Sequence, residues 1–495
     1  MLQFPIQSYK GNVIYTPEDE AWGVYRVFEN TVGVNEREAE NTHVYRLEKL
    51  AWQLSSFEEI DYKIIPVPLD IDKRMEKLKA QYEGNYADIG RYYADRAKEI
   101  LAEEAKDVVE YKFFVGIKLK RREMNDEPIL SSLVTSFKSM NRYVQRVAGF
   151  GGHEVDELTE RMFKESEEQA FSILTSYLSA QRVKEQELRY IIRSQFIRGQ
   201  GQPKDETSLY SLTEGILDPS TAEYLRIQQL QEESWCAFLP ISEFPLDLSH
   251  KEWAYFFQSY HFPIEFHMRT VYKGKKEDYN ETNKIKKRFR DQDAQLIEAN
   301  EDEDSLINSG RSLLHELEND IKNQNKPLLR THIHFVVYGK TKEECRRRAN
   351  RLKIDFRDQS MEMVQPLADQ LLLFHQSIPS APIKAHDWEQ ILTPESFSES
   401  LFSLTRKVGN TVGFYLGKNI SHHGESLENS PFLVFYHPFL AHLGLKGSKY
   451  SSPHVTISGP TGMGKSYLLK DILLHAIFFG AKILMTDPKN GATRS

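Results

Sequence analysis

The 495-residue sequence predicts an α+β region of mixed strands and long helices over residues 1–395, followed by the opening of an α/β phosphate-binding domain over residues 396–495. Three observations carry this prediction. Residues 459–466, Gly-Pro-Thr-Gly-Met-Gly-Lys-Ser, fit the spacing G-x-x-x-x-G-K-[ST] between an apolar run and a helical pattern. Several stretches alternate apolar and polar residues with the period of a strand, and others repeat apolar residues three and four apart, as on a helix face.

In chain order, residues 21–28 are aromatic and β-branched, which predicts a strand. Tyr45, Leu47, Leu50, Ala51 and Leu54 mark a helix face. Residues 60–67 predict a second strand, closed by Pro66 and Pro68. A polar helix is expected over about 71–105, with Tyr82, Tyr86, Ile89 and Tyr93 near one side. Tyr111, Phe113, Val115, Ile117 and Leu119 alternate with Lys112, Gly116 and Lys118, the pattern of a half-buried strand. Residues 131–197 read as helical, with a hinge-like break at Gly149, Gly151 and Gly152.

Residues 235–248 read as a β-segment and 264–272 as an edge-forming strand. The charge-dense stretch 273–304 is basic at Lys284, Lys286, Lys287, Arg288 and Arg290 and acidic at 301–304, and reads as an exposed helical excursion or linker. Residues 330–339 form a strand, followed by a helix through 346–352, a short strand near 361–364 and a helix near 367–374. This β-α-β-α pattern suggests a small ferredoxin-like α+β layer. His332 and His334 share a strand face without an evident third metal ligand, and His422 and His423 read as a polar loop. Residues 413–417 and 431–435 give two strands ahead of the glycine-rich loop.

The loop's residue types follow from phosphate chemistry. A triphosphate carries several negative charges and must be approached without clashing side chains. Gly459, Gly462 and Gly464 permit positive φ and a close backbone. With Thr461 and Met463 around Pro460, which itself has no N–H, they turn backbone donors inward as an anion nest. The helix beginning near Lys465 adds its positive dipole end. Lys465 is placed to reach the β- and γ-phosphates, and the Ser466 hydroxyl, next to Tyr467, to ligate the Mg²⁺ of bound ATP. Leu468, Leu469, Ile472, Leu473, Ala476 and Ile477 then recur at helical spacing, and Gly480 stands where a stop is expected. Residues 455–457 read as the buried strand before the loop, and 483–485 as a second strand leading to Asp487 in an acidic turn.

The net charge of −8, from 72 acidic and 64 basic residues, does not favour tight nonspecific nucleic-acid binding, though local basic patches leave DNA contact open. The two cysteines, Cys236 and Cys345, give neither a metal spacing nor a disulfide framework, which fits a cytosolic setting. No secretory signal pattern opens the chain. No window approaches the roughly 18 uncharged apolar residues of a membrane span, so any membrane association is expected to be peripheral.

Residues 413–417, Pro431-Phe432, the run from His454 to Ser466 and Thr486-Asp487-Pro488-Lys489 together resemble the type IV secretion ATPases of conjugation systems, the TraE/TrbE/CagE group, especially their Gram-positive integrative-element branch. Residues 330–339, 369–374 and Ser377-Ile378-Pro379 look like the end of that family's N-terminal domain, and Trp22 and Tyr25 match its start loosely. The resemblance implies a RecA-like P-loop ATPase domain beginning near residue 396 and an N-terminal domain over 1–395 that docks on the secretion channel. It implies ATP and Mg²⁺ as cofactors and other type IV secretion components as partners. It also implies homo-oligomers, often hexamers, at the cytoplasmic face of the membrane, driving channel assembly and transfer of DNA and protein.

Such a motor also needs a Walker B aspartate, a water-positioning group and an arginine finger. The residues after Asp487 leave no room for them, so this chain is expected to bind ATP weakly and to hydrolyse it poorly or not at all. Two other readings stand beside the secretion motor. A DNA-translocating coupling protein shares the loop and the Asp-Pro-Lys turn, and a non-enzymatic scaffold would keep the loop as a vestige.

Overall fold

The computed structural model describes residues 3–32, 37–104, 109–122, 157–200, 209–287 (bar 246, 250, 261, 281, 285 and 286), 321–322, 325–406, 412–419, 432–440 and 454–484. The helix expected before residue 157, the break at 149–152, the charge run beyond 287, His422, His423, Pro431, Met485 and the Asp487 turn lie outside the described residues. Packing divides the chain into two compact units, each discontinuous in sequence. The first takes residues 1–66, 111–258 and 263–405, and the second takes 67–110, 259–262 and 406–495. Residues 67–110, placed by sequence within the 1–395 region, belong to the same unit as the glycine-rich loop.

The first unit is organised by a large antiparallel sheet. Its long strands lie in the order Ala21–Val27, Val109–Leu119, Glu59–Pro68, Ile264–Tyr272, Leu329–Gly339 and Glu233–Glu243. The expected edge strand Ile264–Tyr272 is interior: it pairs antiparallel with Glu59–Pro68 on one side and with Leu329–Gly339 along its whole length on the other. Its alternation of Ile264, Phe266 and Met268 with Glu265, His267 and Arg269 separates an apolar face from a polar one, and both are buried. The strand Val109–Leu119 likewise buries both faces from Phe113 to Ile117, where the pattern had predicted a half-buried strand. Helix Lys342–Asp358, capped by the Thr341 hydroxyl accepting from Glu344 N, carries the chain from Leu329–Gly339 to the short strand Glu362–Met363. Both strands run antiparallel to Glu233–Glu243 between them, so this is a split β-α-β unit.

On the apolar face, Tyr62 packs on Phe397 and Phe402, and Phe335 on Phe257 and Phe356, with ring centroids 4.9–5.3 Å apart. The opposite face carries a charge network beneath helices Glu185–Phe196 and Gln370–Ser377. Arg198 donates to both oxygens of Glu265 at 2.9–3.0 Å and also to Gln195 and Ser377. Lys63 Nζ lies 3.1 Å from Asp61, 3.2 Å from His267 Nδ1 and 2.8 Å from the Ser377 carbonyl it donates to. Arg269 pairs with Glu59 at 3.0 Å and with Asp61 at 3.5 Å, over the Trp22 ring. His267 donates through Nε2 to Glu265 and stacks on His334 at 4.9 Å. Burial holds both imidazoles well below their usual pKa, so the His267–Glu265 contact is a hydrogen bond from a neutral imidazole to the carboxylate rather than an ion pair. The three cations are matched by Glu59, Asp61 and Glu265, the condition under which buried charges are tolerated. Among the described residues, no group of three or more His, Cys, Asp or Glu is placed to hold a metal.

The second unit contains two helices where sequence predicts one. Ile71–Lys79 starts on Asp70, whose carboxylate accepts from Lys73 N at 2.9 Å, and Ala87–Glu104 follows a break at Gly84, φ +80°. The face expected from Tyr82, Tyr86, Ile89 and Tyr93 is not the packed one. Tyr82 is buried, but the other three are 46–54% exposed, and Ala87, Ala94 and Leu101 turn inward instead. Strands Phe414–Asn419 and Phe432–Tyr436 pair as the two expected before the loop. Gly413 at their base has φ +115°, and a Cβ there would lie 2.1 Å from the Tyr436 carbonyl oxygen. No described helix is long and apolar enough to cross a membrane.

Candidate phosphate-binding loop

The glycine-rich loop leads into the helix Lys465–Phe478 with no residue between its last glycine and the helix. Gly464 is the N-cap at φ +77°, and Gly462 and Gly459 have φ of +86° and +153°. A Cβ added at Gly462 or Gly464 would meet open space. Glycine is therefore required there by the backbone's left-handed turn and not by crowding. Residues 459–464 are exposed, as are Ser466 and Tyr467, while Lys465 is half-buried. The free N–H groups of the first helical turn have no intrahelical acceptors. Together with the turned loop they offer backbone donors and a positive helix end to solvent, the ingredients of an anion site.

Lys465 folds back over the loop. Its ammonium donates to the carbonyl oxygens of Gly459, at 2.6 Å, and of Pro460. No carboxylate competes for it among its described contacts, so a phosphate oxygen could take it over at the cost of two neutral hydrogen bonds. Among the described residues the donor set fits a nucleotide phosphate with Mg²⁺. Lys465 and the backbone of Gly459 to Gly464 would hold the anion, and the Ser466 hydroxyl would meet the metal.

The far end of the helix is built as carefully as its start. Gly480, φ +80°, donates to Ile477 O at 2.9 Å, and Ala481 N donates to Ala476 O at 3.0 Å, the double bond of a Schellman stop. That is the stop sequence predicts at Gly480. The strands expected at 455–457 and 483–485 are not formed among the described residues. Val455 is 53% and Leu484 93% exposed, because no described strand flanks either segment and a parallel strand is buried only between neighbours. The acidic candidate Asp487 lies outside the described residues.

Three contacts on this helix escape a sequence reading. His475 stacks flat on Phe414, with centroids 3.7 Å apart, and its Nδ1 accepts from the Tyr82 hydroxyl at 3.1 Å. Burial pushes His475 down to about 4 and raises Asp471, one turn earlier. Gly90 lets the helix Ala87–Glu104 close on Phe478: a Cβ at Gly90 would lie 2.8 Å from Phe478 Cβ. The only signal in the sequence is a glycine inside a helical pattern, which implies a close approach without naming the partner.

Comparison with known proteins agrees with this geometry. A family model described as an AAA-like domain matches residues 432–494. The match takes in the whole loop and its helix. Such a domain implies ATP binding by a P-loop in general, and with it nucleotide and Mg²⁺ use. The uncharacterized protein YddE of Bacillus subtilis (strain 168) is 28% identical over 501 aligned residues, which cover 99% of this chain and 60% of the relative. This chain thus spans about 60% of that relative's length, and the likeness extends through the sheet unit as well as the AAA-like stretch.

Proposed function

We propose that the chain is the ATP-binding part of a conjugative type IV secretion motor of the TraE/TrbE/CagE kind. The AAA-like match supports a nucleotide-dependent motor of the broader TraE/FtsK type. The observation that carries the reading is the loop itself: an exposed turn with three glycines at positive φ, whose lysine is held, among the described residues, by loop carbonyls. Lys465 takes the β- and γ-phosphates, Ser466 the Mg²⁺, and the N–H groups of Gly459 and of Thr461 to Ser466 the remaining phosphate oxygens. The sheet unit docks on secretion-channel components at the cytoplasmic face of the membrane, and the full-length protein works as a homo-oligomer that energises channel assembly and transfer of DNA and protein. In this role the sheet unit's internally paired charges are architecture, and its partner contacts come from its surface.

The test is transfer by cells carrying Lys465→Ala in the full-length protein. The reading expects transfer to be abolished while the protein accumulates and folds normally, because Lys465 touches ligand and no core residue. Undiminished transfer by that mutant contradicts the motor reading.

A further inference from the structure

Residues 67–110 pack on the helix that carries Lys465 and Ser466, far from the loop end of that helix. Tyr82 bonds His475, about 15 Å along the helix from Lys465 at 1.5 Å per residue. Glu83 N donates to Phe478 O at 3.0 Å, supplying a donor to one of the four carbonyls that a helix leaves unpaired at its C-terminus. Gly84 and Gly480, both at φ +80°, let the two turns pass, with a Cβ on Gly84 only 3.5 Å from Gly480 Cα. Gly90 admits Phe478, and Tyr82 also packs edge-on against the Phe478 ring at 5.8 Å. On the opposite side, Phe414 stacks on His475 and closes the same small core, which holds Ala87, Ala94, Leu101 and Phe435.

From this we infer that Tyr82 and Gly90 are positioning residues for the nucleotide site: the helical pair 71–104 holds the phosphate-loop helix at the axial position from which Lys465 and Ser466 meet the ligand. The helix is a rigid rod, so a displacement at Phe478 is delivered to Gly464 and Lys465 at its other end. Residues 454–464 are almost wholly exposed and make no strand among the described residues. The inference rests on the nucleotide-binding reading above and adds a dependence on residues nearly 400 positions earlier. It also reverses the expected role of this segment, which becomes part of the nucleotide module and not of the docking region.

The experiment measures MgATP binding by calorimetry to the full 495-residue chain and to Gly90→Ala, Tyr82→Phe and Lys465→Ala. Amide exchange over residues 82–94 is followed in each, with and without MgATP. Gly90→Ala places a methyl group against Phe478 and is expected to weaken MgATP about tenfold, within the usual range of coupling between sites. Tyr82→Phe removes only the hydroxyl and is expected to weaken it two- to threefold. MgATP should slow exchange over 82–94 in the unaltered chain and not in Lys465→Ala, a ligand-dependent effect that a merely structural contact would not produce. MgATP binding by Gly90→Ala and Tyr82→Phe equal to that of the unaltered chain, with exchange over 82–94 indifferent to ligand, overturns the inference and leaves the nucleotide reading standing. Should Gly90→Ala fail to fold, the Tyr82→Phe affinity and the exchange data decide. Absence of MgATP binding by the unaltered chain overturns both.

Discussion

In the first unit Arg198, Lys63 and Arg269 are buried, and each meets a carboxylate within 3.5 Å. In the second, Lys465 meets no carboxylate among the described residues and leans on two carbonyls in a loop open to solvent. The two regions spend similar groups differently. A cation sealed among its counterions has no capacity left for a ligand, and removing one partner strands the other in low dielectric. A cation held by neutral acceptors at a turned, exposed backbone is available. Perturbed ionisation alone does not mark a functional site in this chain: His267 and His334, both held well below the usual imidazole range by burial, belong to the sheet core.

The comparison can be broken or sharpened in several ways, of decreasing effect. Glu265→Ala leaves the Arg198 guanidinium buried and unpaired, and should destabilise the first unit by about 3–5 kcal/mol. Urea unfolding monitored on that unit checks this, with MgATP affinity of the remaining folded protein unchanged; a loss of affinity at full folding would show that the two regions are not separate in role. Gly413→Ala forces a Cβ into the Tyr436 carbonyl at a left-handed φ and should cost about 1–3 kcal/mol of the second unit's stability. Thermal unfolding would reveal a smaller cost as evidence that the hairpin relaxes freely.

The third test is pH. His267 and His334 are neutral in the folded core, whereas an unfolded histidine takes up a proton near pH 6.5. The unfolded chain therefore binds more protons below that pH. The stability contributed by the neutral pair is present above pH 6.5 and drains away as the pH falls toward 4, at up to about 1.4 kcal/mol per pH unit for each histidine. His334→Phe should flatten this slope by one proton, as read from denaturant midpoints across pH 4–7. An unchanged slope would place the titrating group elsewhere. The smallest effect is expected at Arg161, whose i,i+4 pair with Glu157 at 3.0 Å is more than 70% exposed on both sides. Arg161→Ala should leave the unfolding midpoint unchanged, since exposed pairs are screened and entropically opposed.

The sequence discloses the loop because phosphate binding constrains local residues: three glycines, a lysine and a serine at fixed spacing, then Gly480 at the stop. It discloses most long strands because their alternation is local too. What alternation cannot reveal is which face is wet. Glu265, His267 and Arg269 looked like the solvent side of an edge strand, yet they face Lys63, Asp61 and His334 across interior pairings. Tyr86, Ile89 and Tyr93 misled for the complementary reason: the packed face of their helix is made of small residues, Ala87, Gly90 and Ala94, which carry little hydrophobic signal. Tyr82 and Gly90, which meet His475 and Phe478, are separated from them by nearly 400 residues, and no local pattern encodes such a contact.

The central claim is that the glycine-rich loop is a nucleotide site and that Lys465 is its available cation. Calorimetric titration of MgATP into the 495-residue chain and into Lys465→Ala, at one salt concentration and pH, tests it most directly. The account predicts weak, saturable binding at a single site in the unaltered chain. Lys465→Ala should bind at least about tenfold more weakly, the worth of a charge-assisted hydrogen bond, with the same unfolding midpoint. Equal MgATP affinity in the two proteins would contradict it.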